Sequence, residues 1–507
     1  VSGRPNVIVI TTDQQRFDSL SCYGSGGFAS TPNIDRLGTM GAVFRRAYCT
    51  NPVCTPARGS IFSGSYPSRH GAWNVGMSVP LDVPMLSHML SQTGYRTHYV
   101  GKAHFQAFGD ARHSRECRQT WNERNKGWSG PYYGFDTVEL SVGHTTNGLF
   151  GHYGEWLREE LSADAVEAYA KAEPADDGPG FSAEAYDWDL PVRYHSSTWT
   201  ADRALAFLEA YDSDEPFLLG IGFQDPHHPH CVPRDQRERV RPDAVPLPRF
   251  VEGELADKPP HFDLVRRGAF DDSAYRGTYP LAGQHRNPPY HDVPEKSVRN
   301  ARAYYYSMVS LIDTQIGRLL SSLEASGRLH DTIIVFTTDH GELLGDHGLW
   351  LKGPFHYEEL VRIPFIVAWP GGFGGGEHVD DLVSQVDVVP TILDAVGAAP
   401  LAPSFIDGVS LLGRLRGGMA PNRPGVVVEC VDDPIGLRLK TVITERYKLT
   451  HYHGYGFGEL YDLAEDPGEV RNRWDDPGAA RVRQQLLGTL VDHAERLERR
   501  ATRFSYA

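Results

Sequence analysis

The sequence holds only six cysteines, Cys22, Cys49, Cys54, Cys117, Cys231 and Cys430. They are too sparse and too irregular for a disulfide framework. Cys49 and Cys54 have the spacing of half a zinc site, but no second thiolate pair or spaced histidines accompany them. Long apolar runs are also lacking, since none approaches the about 20 residues that a membrane-crossing helix needs. No basic block is present: 50 Lys+Arg stand against 65 Asp+Glu, for a net charge of −15. That excludes an electrostatic footprint for nucleic acid or an anionic membrane. Internal repeats and low-complexity tracts are missing too. The opening residues, VSGRPNVIVI, show no basic and apolar leader of the secretory kind. A chain beginning with Val is compatible with earlier removal of one, so cytoplasmic and secreted or periplasmic locations both stay open.

Of the 507 residues, 40% are hydrophobic and 11% aromatic, enough for a large core and too many for a disordered chain. Four short apolar runs each end in a polar cluster. NVIVITT (6–12) precedes Asp13 and Gln14, and RTHYV (96–100) precedes Gly101, Lys102 and His104. PFLLGIGF (216–223) leads into QDPHHPH (224–230), and TIIVFTT (332–338) leads into Asp339 and His340. Helix-like spacing appears between them, near 199–211 and 300–325. Runs apolar on both faces predict strands of a large, mostly parallel sheet sandwiched by helices. Ligands bind such α/β sheets at the strands' carboxyl ends, so the four clusters are expected to converge.

The stretches 105–195 and 225–298 read as insertions over the sheet edge, where Trp121, Trp128, Tyr132 and Tyr133 either line a pocket or pin a loop to the body. GGFGGG (371–376) lacks a following Lys-Ser/Thr and is a turn. DVVPTILDAVG (387–397) predicts a short helix capped by Gly397. Beyond about residue 400 the pattern changes to GVVVEC (425–430), LKTVITE (439–445), YKLTHYH (447–453) and ELYDL (459–463). These predict an antiparallel sheet, followed by a helix at about 477–500. The expected division is a catalytic part, 1–400, and a small α+β part, 401–507.

Asp13 with Gln14, and Asp339 with His340, offer mostly oxygen donors at two strand ends. That suits Ca2+, Mg2+ or Mn2+ better than zinc; the plainer alternative makes both aspartates helix N-caps. NPVCTPARGSIFSG (51–64) contains C-x-P-x-R, with Cys54, Pro56 and Arg58. Pro56 predicts a helix start, placing Cys54 near a helix N-terminus that favours an anion. A reactive cysteine, a bound oxyanion and an inert buried thiol all fit that pattern.

NVIVITTDQQR, TPNIDRL, CTPARGSIFSG with YPSRHG, GKAHF, PHHP, TTDHGELLGDHG and ELYDLAEDPGE together resemble the sulfatase family of the alkaline phosphatase superfamily, in order and over nearly the whole chain. The resemblance implies that Cys54 is oxidised to formylglycine by a formylglycine-generating enzyme. Its hydrate then attacks the sulfur of a sulfate monoester, on a carbohydrate or an aryl alcohol. It further implies that Asp13, Gln14, Cys54, Asp339 and His340 hold one divalent cation, Ca2+ before Mn2+ or Mg2+. Arg58 would hold the diol, and His104 of the K-x-H element would take its proton, with Lys102 beside it. His227 and Lys352 would clamp the sulfate and protonate the leaving alcohol. Two of only eight lysines fall at these positions. Many family members carry Asp-Asp at the first metal pair and Asn after the second Asp, where this chain has Gln14 and His340. Phosphonate monoester and phosphodiester hydrolases of the superfamily share formylglycine and a similar metal set but lack K-x-H, so Lys102 and His104 favour sulfate esters. A non-catalytic metal- and anion-binding relative is the third alternative. His228, His230, His347 and His356 read as loop or packing histidines, and His70 as a support for the Cys54 helix.

Overall fold

The computed structural model describes residues 3–24, 28–171, 173–174, 185–237, 239–268, 293–404, 406–432 and 436–498. Its strands, in chain order, are β1 (Asn6–Thr12), β2 (Gly41–Tyr48), β3 (Arg96–Gly101), β4 (Thr137–Val142), β5 (Glu173–Pro174), β6 (Ala185–Trp188), β7 (Phe217–Gly222) and β8 (His230–Pro233). They continue with β9 (Thr332–Thr338), β10 (Arg362–Ile363), β11 (Phe365–Ala368), β12 (Glu377–Ser384), β13 (Val426–Asp432), β14 (Leu437–Ile443), β15 (Tyr447–Tyr452) and β16 (Gly458–Asp462). The main sheet runs β10-β2-β11-β9-β1-β7-β3-β4, with β12 also on β2. The four expected strands, β9, β1, β7 and β3, are consecutive neighbours at its centre and all parallel.

Alternation along these strands explains why both faces are covered. Val7, Val9, Ile333 and Val335 enter one core with Ile61, Phe62, Leu86 and Ile392 from helices Cys54–Ser63, Leu86–Ser91 and Val388–Ala395. Ile8, Ile10, Ile334 and Phe336 enter the other with Ile34, Trp199 and Ile312 from helices Pro32–Met40, Ser196–Ala210 and Glu295–Ala325. A strand buried on both sides must be apolar at every position, which is the pattern these runs show.

The register levels the strand ends. Thr12 pairs with Thr338, Thr11 with Gly222, and Gly222 with Gly101. The next residues, Asp13, Asp339 and Lys102, therefore leave the sheet side by side. Gly101 has φ +91, and a Cβ there would run into the Gly222 carbonyl, so only glycine lets β3 turn Lys102 away at this point.

The 105–195 stretch departs from expectation. It contains β4, which pairs in parallel with β3 as the edge of the main sheet, as well as helices Gly151–Glu160 and Ala163–Tyr169. Part of it also forms the small β5-β6-β8 sheet. Trp121, Tyr132 and Tyr133 are buried in the core and half-buried Trp128 packs against it, so these aromatics pin the stretch down. Residues 371–376 form a turn, and Gly397, at φ +73, follows helix Val388–Ala395. β13-β14-β15-β16 is the expected antiparallel sheet, with helix Ala480–Leu497 packed on it.

Candidate active site

Helix Cys54–Ser63 begins at Cys54 itself, two residues before Pro56, and every one of its residues is buried. It ends at Gly64, φ +69, where a Cβ would strike Ile406. His70 braces it through contacts to the Pro56 carbonyl at 3.1 Å and Ser60 Oγ at 3.3 Å. Its first turn meets the strand ends. Cys54 Sγ lies 3.7 Å from Asp13 Oδ1, 3.4 Å from His340 Nε2 and 3.1 Å from Lys352 Nζ. Asp13, Cys54, Asp339 and His340 each bring a donor atom within 4.8 Å of the others, all buried. Neither aspartate caps a helix, and Cys49 is not among these donors.

Arg58, wholly buried, ties the aspartates together. Its Nε donates to Asp339 Oδ2 at 2.9 Å and its Nη2 to Asp13 Oδ2 at 3.2 Å, while Nη1 donates to the Lys102 carbonyl at 2.9 Å. Burial opposes the guanidinium charge, but Asp339 and Asp13 outweigh it and raise the Arg58 pKa. Burial likewise opposes ionisation of Asp13; Lys102 and Arg58, then His144 and Lys352, reverse the sign and hold it well below the ordinary range. Lys102 Nζ reaches Asp13 Oδ2 and His144 Nε2.

Lys352 Nζ sits 3.0 Å from His227 Nε2 and 3.3 Å from His340 Nε2. Burial pushes the Cys54 thiol up to about 11, and Asp13 adds to this against Lys352 and Lys102. The His340 Nδ1 is 2.9 Å from the Gly341 carbonyl, so Nδ1 carries the proton and Nε2 presents its lone pair to the cluster. The His104 ring stacks on Phe108 at 4.0 Å, with Nδ1 unpartnered among the described residues, and burial followed by Lys102 holds its pKa well down.

Every expected site residue is thus brought to one place. Two histidines alter the reading. His144, after β4, stacks on His227 at 3.6 Å with the rings 7° from parallel, and sequence reasoning missed it. His228, which the sequence reads as a loop or packing histidine, stacks on His227 at 4.1 Å and also lies 3.3 Å from Gln14 Nε2. His356 is held by Thr441, and His347 stacks on Tyr357 while its ring faces the Glu254 and Glu359 carboxylates.

Three cations, Arg58, Lys102 and Lys352, face two carboxylates in this pocket, an arrangement that draws an anion. The donor set is also right for a hard divalent cation. Two carboxylates and an imidazole lone pair converge there, and the next residue after Asp13, Gln14, has a buried Oε1 that accepts no hydrogen bond among the described residues.

The family model described as Sulfatase matches residues 5–398, and one described as N-sulphoglucosamine sulphohydrolase, C-terminal, matches residues 345–496. The chain is 27% identical over 491 residues to the arylsulfatase of Clostridium perfringens (strain 13 / Type A), covering 92% of this chain and 90% of that one. It is 29% identical over 531 residues to the multifunctional alkaline phosphatase superfamily protein PehA of Trinickia caryophylli, covering 97% and 96%. The phosphonate monoester hydrolase of Agrobacterium radiobacter shares the fold, with a TM-score of 0.77 at 24% identity over 97% of this chain and 96% of that one.

Proposed function

The chain belongs to the sulfatase family of enzymes, and from that premise we propose that it hydrolyses a sulfate monoester of a carbohydrate or aryl alcohol with formylglycine at position 54. The observation that carries this reading is the convergence of Asp13, Cys54, Asp339 and His340 within 4.8 Å, ringed by Arg58, Lys102 and Lys352. Asp13, Gln14, Asp339, His340 and residue 54 would hold one divalent cation, Ca2+ before Mn2+ or Mg2+, which when bound polarises a sulfate oxygen and lowers the pKa of a hydroxyl on residue 54. A hydrated aldehyde there supplies one oxygen to attack sulfur and a second whose deprotonation expels sulfate, so water need never attack sulfur.

The chain's own side chains do the rest. Arg58 holds Asp13 and Asp339 at fixed separation, and Lys102 stands against Asp13 where the sulfate's negative charge arrives. His104, kept neutral by its burial, is suited to accept the proton of the second hydroxyl. Lys352 spans residue 54 and His227, so the two together bind the sulfate and hand a proton to the departing alkoxide.

The same superfamily offers phosphonate monoester or phosphodiester hydrolysis as a second reading, and the likeness to a relative named as a multifunctional alkaline phosphatase superfamily protein keeps it in play. Lys102 and His104 favour sulfate. The division into 1–400 and 401–507 is likewise our proposal. Peptide mass spectrometry across residue 54, on protein produced with a formylglycine-generating enzyme, tests the nucleophile. The aldehyde or its hydrate is expected, with turnover of 4-nitrophenyl sulfate lost in Cys54→Ala; an unmodified thiol in a protein that still turns over would overturn it.

A further inference from the structure

Gln14 carries a side-chain oxygen that nothing among the described residues satisfies. Its Oε1 is buried without a hydrogen bond, while its Nε2 donates to Glu342 Oε2 and lies 3.3 Å from His228 Nδ1. Buried amides normally find partners at both ends, so the free end is one that a bound group completes. The backbone is committed to this aim as well. Gln14 has φ +64 and donates its N–H to Asp339 Oδ1 at 2.9 Å; a side-chain-bearing residue in the left-handed region is held there at a cost.

Glu342 decides which way the amide faces. Its Oε1 accepts from Leu344 N at 2.8 Å and from Leu351 N at 2.6 Å. Only Oε2 is left for Gln14, and a carboxylate oxygen takes the NH2 end of an amide, never the oxygen. Leu351 immediately precedes Lys352, so one carboxylate grips both the amide and the loop bearing that lysine.

We propose that Glu342 is a positioning residue that locks the Gln14 amide so that Oε1 is presented as a neutral oxygen ligand to the divalent cation. Through Leu351 it also sets the Lys352 loop. The inference rests on the metal reading above. It has a sharp consequence for the isosteric variant Glu342→Gln. The two backbone N–H groups pin the oxygen of the new amide, so its NH2 is forced against the NH2 of Gln14. That donor-to-donor clash is relieved when Gln14 turns its oxygen away from the cation. Adding Gln14→Glu to the same chain restores complementarity, because a carboxylate at 14 accepts from the amide at 342 and still offers an oxygen to the cation.

The experiment is isothermal titration of Ca2+ and Mn2+ into the metal-free full chain, with the metal-free Tm measured alongside. The wild type is expected to bind one cation. E342Q should bind with a Kd raised about tenfold or more, the range seen when partners of metal ligands are removed, at a metal-free Tm close to the wild type's. The double variant Q14E/E342Q should recover to within roughly threefold of the wild type on that same scale. Undiminished binding by E342Q overturns the inference, as does a folded double variant no better than E342Q. A wild type that binds neither cation overturns the metal reading itself, and this inference with it. If E342Q does not fold, the double variant decides alone: folded and cation-binding supports the proposal, unfolded or non-binding contradicts it.

Discussion

At the scale of single residues, the pair His227 and Lys352 gives the clearest handle on the chemistry. If they protonate the leaving alkoxide, their value depends on how badly that group needs a proton. His227→Ala is expected to lower kcat by about 10²-fold or more on an alkyl sulfate and far less on 4-nitrophenyl sulfate, whose phenolate leaves unaided. A leaving-group series on the variant checks this, and equal losses across the series would mean that His227 only shapes the pocket. Most of the residues in this site were legible beforehand, because Asp13, Lys102, His227 and Asp339 all follow apolar runs that must be central strands. His144 was not. Its strand, β4, lies at the sheet edge, so its sequence TVELSV mixes polar with apolar residues and lacks the unbroken apolar signature of β1 or β9. His228 and Glu342 were on view in their motifs, but nothing in spacing tells a histidine that packs from one that touches a site amide.

At the scale of elements, the segment after β9 carries Asp339, His340, Glu342 and Lys352 and must be held firmly without being a regular element. Two buried ionic contacts do this. Arg16 Nη1 meets Asp346 Oδ2 at 2.8 Å. The His347 ring, stacked on Tyr357 at 3.6 Å, has Nδ1 at 3.1 Å from Glu254 and Nε2 at 3.5 Å from Glu359. Burial disfavours a charged His347, but the carboxylates of Glu254, which accepts from Nδ1–H, and of Glu359 prevail and raise its pKa from the ordinary 6.5 to about 10. A pKa raised on folding stabilises the folded state fully below the unfolded value, and the contribution fades as pH climbs through the folded one. His347→Gln is therefore expected to cost on the order of 3 kcal/mol at pH 6, with the gap to the wild type narrowing between pH 6.5 and about 10. Urea unfolding across that range checks it; a gap independent of pH would show that His347 is neutral in the fold. Sequence alone read His347 as a packing histidine. The two carboxylates facing it come from residues 254 and 359, brought together only by the tertiary fold.

At the scale of the molecule, residues beyond 400 hold the segments on either side of the helix that bears Cys54. The Glu429 N–H donates to the Thr50 carbonyl at 2.8 Å, and its carboxylate accepts from Ser68 N and Oγ at 2.8 Å each. Asp407 accepts from Tyr66 N and Arg69 Nε, both at 3.0 Å. The fold class was legible because hairpin alternation and central-strand runs differ so plainly along the chain; this docking was not, since it depends on single side chains meeting across more than 300 residues of sequence. We propose that this scaffold gathers a cationic, metal-fitted pocket to cleave sulfate esters. The most direct test is the ratio of kcat/KM for an aryl sulfate to that for the matching aryl methylphosphonate, measured on matured, cation-loaded enzyme. Lys102 and His104 predict a ratio well above one, falling in Lys102→Ala; a ratio below one, or turnover of neither substrate, would contradict it.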